Sequence, residues 1–263
     1  MSTEPAPLLR NHAKEKLAEG RPVYSMTVRL VRSVEIASIA YTAGFDSIYI
    51  DMEHSSFPLD AAGQICLAAN QLGVTPLVRV PGVDPSFIGR VMDVGAMGII
   101  IPGVESADEA RAAVRAVKHA PLGGRSLAGA APQLHYRPLP PDQTVRELDA
   151  ASMVVAMVES QDGLDAADAI AAVDGVDMLL VGANDLSVEL GIAGQMDDLR
   201  VDEAFRHVIE VCQKHGKATG LGGIGARPDL IRRYLDLGAG YVSTGNDITF
   251  LGAAAAQKRQ QFG

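Results

Sequence analysis

Six ionisable side chains leave apolar runs of this sequence abruptly. IDMEHSS at 50–56 supplies Asp51, Glu53 and His54, PLVRV at 76–80 supplies Arg79, MVVAMVES at 153–160 supplies Glu159, and MLLVGANDLS at 178–187 supplies Asp185. Burial of such groups without partners costs several kcal/mol, so each position implies either an ion pair or a chemical task. Glu159 and Asp185 have neither His nor Cys beside them. An all-oxygen pair suits Mg²⁺ or Mn²⁺, with water and substrate oxygens completing an octahedron, and it disfavours a structural zinc site.

The elements that must position these residues alternate along the chain. Short β-rich runs fall at 22–26, 47–50, 76–80, 98–102, 153–159, 178–182, 217–222 and 241–245. Most are continuously apolar, as expected of parallel strands covered on both faces. Amphipathic stretches separate them. Residues 106–118 place Ala110, Val114 and Val117 on one stripe behind a Ser106/Glu109 capping box; 203–215 bury Ala204, Val208, Val211 and Cys212 and end at Gly216; 228–237 open on Pro228 and stop at Gly238. Eight strands each followed by helix predict an α/β fold of the TIM-barrel type, a single (β/α)8 domain, whose chemistry sits at the C-terminal ends of the strands. Glu159 and Asp185 then end neighbouring strands about 4.8 Å apart. GLGGIG at 220–225 is a weak dinucleotide fingerprint in the wrong place for an open nucleotide-binding sheet. The segment 1–20 reads as a polar N-terminal helical extension, and the proline-rich segment 122–150 as a long loop near the site.

Composition excludes several classes. Of 263 residues, 32 are acidic and 23 are Lys or Arg, a net charge of −9 with no Trp and no basic run, which argues against a nucleic-acid partner. Cys66 and Cys212 read as buried free thiols. Neither a secretion signal nor a membrane-length apolar run is visible, so the expectation is a cytoplasmic protein with no membrane partner.

IDMEHSS, PLVRVPGVDP, VESQDG and GANDLS resemble, in order and spacing, the HpcH/HpaI family of metal-dependent (class II) pyruvate aldolases, within the phosphoenolpyruvate/pyruvate barrel superfamily. The resemblance runs from about Gly20 to Phe250. It implies cleavage or formation of 4-hydroxy-2-oxo acids from pyruvate or hydroxypyruvate and an aldehyde, through a metal-bound enolate. It also implies that Glu159 and Asp185 hold the cation, Mg²⁺ or Mn²⁺ with Co²⁺ also admissible, and that Arg79 steadies the enolate. By the same resemblance His54 is the base, Asp93 hydrogen-bonds it, and the main chain at Asn184 meets the pyruvate carboxylate. A metal-bound hydroxide is the rival base. Homo-oligomers, commonly hexamers, are implied too, and the apolar tail FLGAAAA at 250–256 is compatible with packing on a neighbour.

The chain departs from that family at Met157, where relatives carry Gln, and at Asn184, where relatives carry Ala. At Gly222 relatives carry a bulky aliphatic residue, and near Val28 a relative carries Trp; both losses of volume predict an enlarged acceptor pocket that includes Gly222 in its wall. Asp51 and Glu53 read either as ordering water or a loop, or as a structural ion pair. Arg125 reads as a loop anchor or a substrate contact. His12, His119, His135, His207 and His215 have no partner at metal-ligand spacing. No lysine emerges from a strand end, which disfavours Schiff-base chemistry. An acyl-CoA lyase and a non-catalytic 2-oxo-acid binding protein are the alternatives; the His54 and Asp93 pair speaks against the second, because binding needs neither.

Overall fold

The computed structural model of the chain describes residues 7–263; the first six residues of segment 1–20 lie outside them. Eight parallel strands close into one barrel in sequence order: β1 (Val23–Val28), β2 (Ser47–Asp51), β3 (Thr75–Arg79), β4 (Gly98–Ile101), β5 (Met153–Val158), β6 (Met178–Gly182), β7 (Ala218–Gly222) and β8 (Tyr241–Asn246). The outer layer comprises α2 (Glu35–Thr42), α3 (Leu59–Leu72), α4 (Pro85–Asp93), α5 (Ala107–Val117), α7 (Gln161–Asp165), α8 (Ala167–Ala171), α9 (Ala183–Glu189), α10 (Leu199–His215), α11 (Pro228–Asp236) and α12 (Asp247–Gln260), while α1 (His12–Ala18) and α6 (Pro141–Ala151) serve the N-terminal rim.

The core has two shells because strand side chains alternate in direction. Inward residues such as Leu77, Ile100, Val155, Leu180 and Tyr241 fill the lumen, which Ala13 of α1 plugs from below. Outward residues such as Ile48, Val78, Ile99, Val154 and Leu179 pack against the helices. Helix boundaries follow from their end residues. Asn11 caps α1 through Lys14 N–H, Ser106 caps α5 through Glu109 N–H, and Gly216 ends α10 in the left-handed conformation at φ 64°.

The longest excursion joins α5 to β5, through a 3-10 turn at Pro132–Leu134 and then α6. A segment linking a helix end to a strand start belongs to the N-terminal rim. There the Gln133 amide donates to the carbonyls of Met92 and Ala96, and Leu134 and Leu148 pack with Leu9 and Leu139. The expectation of a 122–150 loop near the site is thereby corrected. Within the chain it covers the opposite end.

Candidate active site

The alternation that fills the lumen also builds the site. Going up the inward faces, Tyr49 gives way to Asp51, Leu77 to Arg79, Met157 to Glu159 and Leu180 to Gly182. Asp51 and Arg79 are register partners on adjacent strands. The polar layer opens into a cavity of about 500 Å³ at the C-terminal mouth, lined by Asp51, Arg79, Met157, Glu159, Asn184, Asp185 and Gly222 among others. Most enzymes of this fold place their chemistry at this face.

Arg79 and Asp51 form the fixed part of the site. The guanidinium donates from Nε to Asp51 Oδ1 at 3.1 Å and from Nη2 to Oδ2 at 2.7 Å, while Nη1 lies 3.0 Å from Glu53 Oε2. The Arg79 guanidinium carbon also sits 5.5 Å from the centre of the Tyr49 ring. Burial works against the Asp51 carboxylate, but the bonds and charge of Arg79 outweigh it and hold its pKa below the usual value. A buried, bidentate guanidinium of this kind keeps its charge and its orientation. Asp51 Oδ1 also accepts the backbone N–H groups of Glu53 and His54, so it shapes the turn after β2. Of its sequence readings, the structural ion pair and the ordering of the loop are both observed.

Glu159 stands just past the mouth end of β5, beside Gly182 of β6. Burial pushes its pKa up, the Gly103 N–H at 2.8 Å pulls it down, and the charges of Asp185 and Glu53 push it up again, to about 7. A Cβ at Gly182 would lie 2.5 Å from Glu159 Oε2, so only glycine leaves the carboxylate its place there. Crowded carboxylates with oxygen-only donors fit a hard divalent cation. Among the described residues no group of three or more His, Cys, Asp or Glu side chains is assembled for a metal, so Glu159 and Asp185 would leave most coordination positions to water and substrate. Met157 faces the same space, its sulfur 3.9 Å from Arg79 Nη1.

Three expectations need correction. Asp93 ends α4, a helix that runs from the mouth back to the N-terminal rim, and there it binds Arg125 Nη1 at 3.0 Å. It does not reach His54 within the chain. Arg125, whose Nε donates to the Val117 carbonyl, is a rim anchor far from the cavity. His54 is half exposed beside the mouth, with Nε2 at 3.6 Å from Glu53 Oε2. Gly222 does line the cavity, but a Cβ there would lie 2.8 Å from the Val181 carbonyl oxygen, so the glycine serves the close approach of β6 and β7 rather than an open pocket. Val28 is fully buried among the outer-shell residues and faces away from the cavity. The mouth end of β1 contributes Thr27 and Arg29 instead, which the sequence reading missed. Their alternate spacing with Ser25 was the available signal.

A closed (β/α)8 barrel with two carboxylates and a buried guanidinium gathered at its C-terminal mouth has the architecture of an enzyme of this fold. Residues 30–254 match the family model described as HpcH/HpaI aldolase/citrate lyase. The chain belongs to that family and is a carbon–carbon lyase. It is 44% identical over 216 residues to a 4-hydroxy-4-methyl-2-oxoglutarate aldolase of Hapsidospora irregularis, covering 81% of this chain and 80% of that relative. A 4-hydroxy-2-oxo-heptane-1,7-dioate aldolase of Salmonella arizonae is 32% identical over 255 residues, 97% of this chain and 95% of the relative. The crystal structure of an HpcH/HpaI aldolase from Desulfitobacterium hafniense superposes with a TM-score of 0.86 at 30% identity, covering 95% of both chains.

Proposed function

We propose that this lyase cleaves and forms 4-hydroxy-2-oxo acids, releasing or consuming pyruvate or a close analogue and a carbonyl acceptor, with Glu159 and Asp185 holding Mg²⁺ or Mn²⁺. The observation that carries the reading is the shared cavity: an unneutralised carboxylate pair opens into the same space as a guanidinium locked by Asp51. A cation bound by the pair would supply a Lewis acid for the 2-oxo group. Asn184 and Asp185 stand in the first turn of α9, and the Asn184 amide is available to a substrate carboxylate. In cleavage, the proton leaves the 4-hydroxyl, the C3–C4 bond breaks, and its electron pair becomes the enolate of the 2-oxo acid. Arg79, a fixed donor at the cavity wall, compensates that charge as it grows. His54 at the rim is the proton carrier of this scheme, and protonation at C3 completes the product.

Small molecules, rather than nucleic acid, are the partners of this reading. It extends to a cytoplasmic homo-oligomer, hexameric by family resemblance. Exposed Ile248 and Leu251 on α12 and exposed Ile39 and Tyr41 on α2 support association, and no helix among the described residues is long and apolar enough to cross a membrane. The test is turnover of a 4-hydroxy-2-oxo acid before and after exhaustive chelation, with Mg²⁺ and Mn²⁺ restored separately, beside Glu159→Gln. Loss of activity on chelation, recovery with cation and failure of the Glu159→Gln enzyme to recover are expected. Full activity without cation refutes the reading.

A further inference from the structure

Four side chains alternate in charge at the mouth: Arg29, Asp51, Arg79 and Glu53. Arg79 faces carboxylates with all three guanidinium nitrogens, Nε and Nη2 on Asp51 at 3.1 and 2.7 Å and Nη1 on Glu53 at 3.0 Å. One cation between two anions leaves an excess of negative charge beside the place where the enolate charge develops, which opposes the reaction. Arg29 removes that excess. It directly follows β1 and lines the same cavity, and its Nε lies 3.2 Å from Asp51 Oδ2, the oxygen that also accepts from Arg79 Nη2. Two arginines thus share one carboxylate whose side chain is 1% exposed.

The contact of Arg29 with Asp51 is an ion pair rather than an aligned hydrogen bond, because Arg29 Nε is buried without a hydrogen-bond partner among the described residues. What it supplies there is charge, and Coulomb attraction needs no alignment. Burial raises the Asp51 pKa, and the bonds and charge of Arg79, the His54 N–H and the charge of Arg29 together bring it below the usual value. Arg29 is also fixed in place. The Asp247 carboxylate, buried at the start of α12, accepts the N–H groups of Arg29, Leu30 and Val31 at 3.0, 2.9 and 2.8 Å. At the tip, Arg29 Nη2 donates to the His54 carbonyl at 2.6 Å. A guanidinium held at backbone and tip delivers its charge to Asp51 without reorganising during the reaction. Without it, the Asp51 charge would be compensated by Arg79 alone.

We propose that Arg29 is a positioning residue that acts through Asp51: it takes up part of that carboxylate's charge, so that the Arg79 guanidinium keeps its own for the enolate of the donor. This rests on the aldolase reading above. The test uses the Mn²⁺-loaded enzyme and pyruvate with no acceptor present. Exchange of the C3 hydrogens with deuterated water, followed by NMR, reports enolate formation, and calorimetric titration reports Mn²⁺ binding. Arg29→Gln keeps a donor for the His54 carbonyl but loses the charge, whereas Arg29→Lys keeps the charge. Arg29→Gln is expected to lower kcat for exchange at least about tenfold, with KM for pyruvate and Kd for Mn²⁺ within about threefold of wild type. Arg29→Lys should stay within about threefold of wild type in all three. Equal kcat in the two variants, a change confined to KM, or a Mn²⁺ Kd raised beyond that range in Arg29→Gln overturns the role of Arg29 alone, since each is what mere support of the turn after β2 would give. Absence of exchange in the wild-type enzyme overturns the aldolase reading, which requires reversible protonation at C3, and this inference with it.

Discussion

Gly182→Ala adds one methyl group and leaves both proposed metal ligands in the chain. The new Cβ would stand 2.5 Å from Glu159 Oε2 and 2.9 Å from Glu159 Cβ. An ordinary carbon–oxygen contact is about 3.3 Å, so the carboxylate must withdraw by roughly 0.8 Å. Mg²⁺ accepts oxygen ligands only near 2.0–2.1 Å in a near-ideal octahedron, so a shift of that size removes or badly distorts one ligand. Disturbing what orients a ligand typically costs about 10–100-fold in affinity, here roughly 1.4–2.8 kcal/mol. The backbone tolerates the change, because Gly182 has φ −92°, which alanine adopts freely. Gly182 is also the N-cap of α9, where alanine costs about 1 kcal/mol, or roughly 3 °C in Tm. Calorimetric titration with Mn²⁺ should therefore show Kd raised about 10–100-fold in a protein that remains folded, with kcat/KM falling in parallel. A Kd within about threefold of wild type would refute the placement of the cation at Glu159.

Three further outcomes follow from the same geometry. Arg79→Lys keeps the charge but loses the two-point hold on Asp51, so kcat/KM should fall at least about tenfold with pyruvate as donor; unchanged kinetics would put Arg79 outside the chemistry. The pKa of Glu159 is raised in the folded chain from 4.5 to about 7, so its protonated form stabilises the cation-free protein below that range and the contribution is lost as pH rises through it. A cation must displace that proton, so Mn²⁺ affinity should weaken by up to about tenfold per pH unit below about pH 7 and level off above; a flat Kd between about pH 5.5 and about pH 8 would count against it. Gly222→Leu, which forces a Cβ to 2.8 Å from the Val181 carbonyl oxygen, should lower stability and depress small and large aldehydes alike, whereas selective loss of large aldehydes would restore the open-pocket reading.

The sequence by itself determined the barrel and most of its mouth. Eight apolar runs alternating with amphipathic helices admit few other closed arrangements, and the fold closes in that order. Arg79, Glu159 and Asp185 were legible because the strand period of two carries an inward face from apolar core to polar rim, and a charge directly after such a run can only sit at the mouth. The placement of the 122–150 segment was legible as well, had element order been followed, since chain between a helix and the next strand returns to the N-terminal rim. Tertiary structure decided the rest. Asp93 stands only 14 positions beyond Arg79, yet α4 spans 9 residues, about 13 Å at helical rise, and delivers it to Arg125 at the other end. Whether Val28 or Arg29 faces the cavity turns on one step of strand register, which pattern alone left open. Gly222 was ambiguous for a different reason: a missing side chain looks the same in sequence whether it makes room for a substrate or for a neighbouring backbone, and only the carbonyl oxygen of Val181, 2.8 Å from the absent Cβ, distinguishes the two.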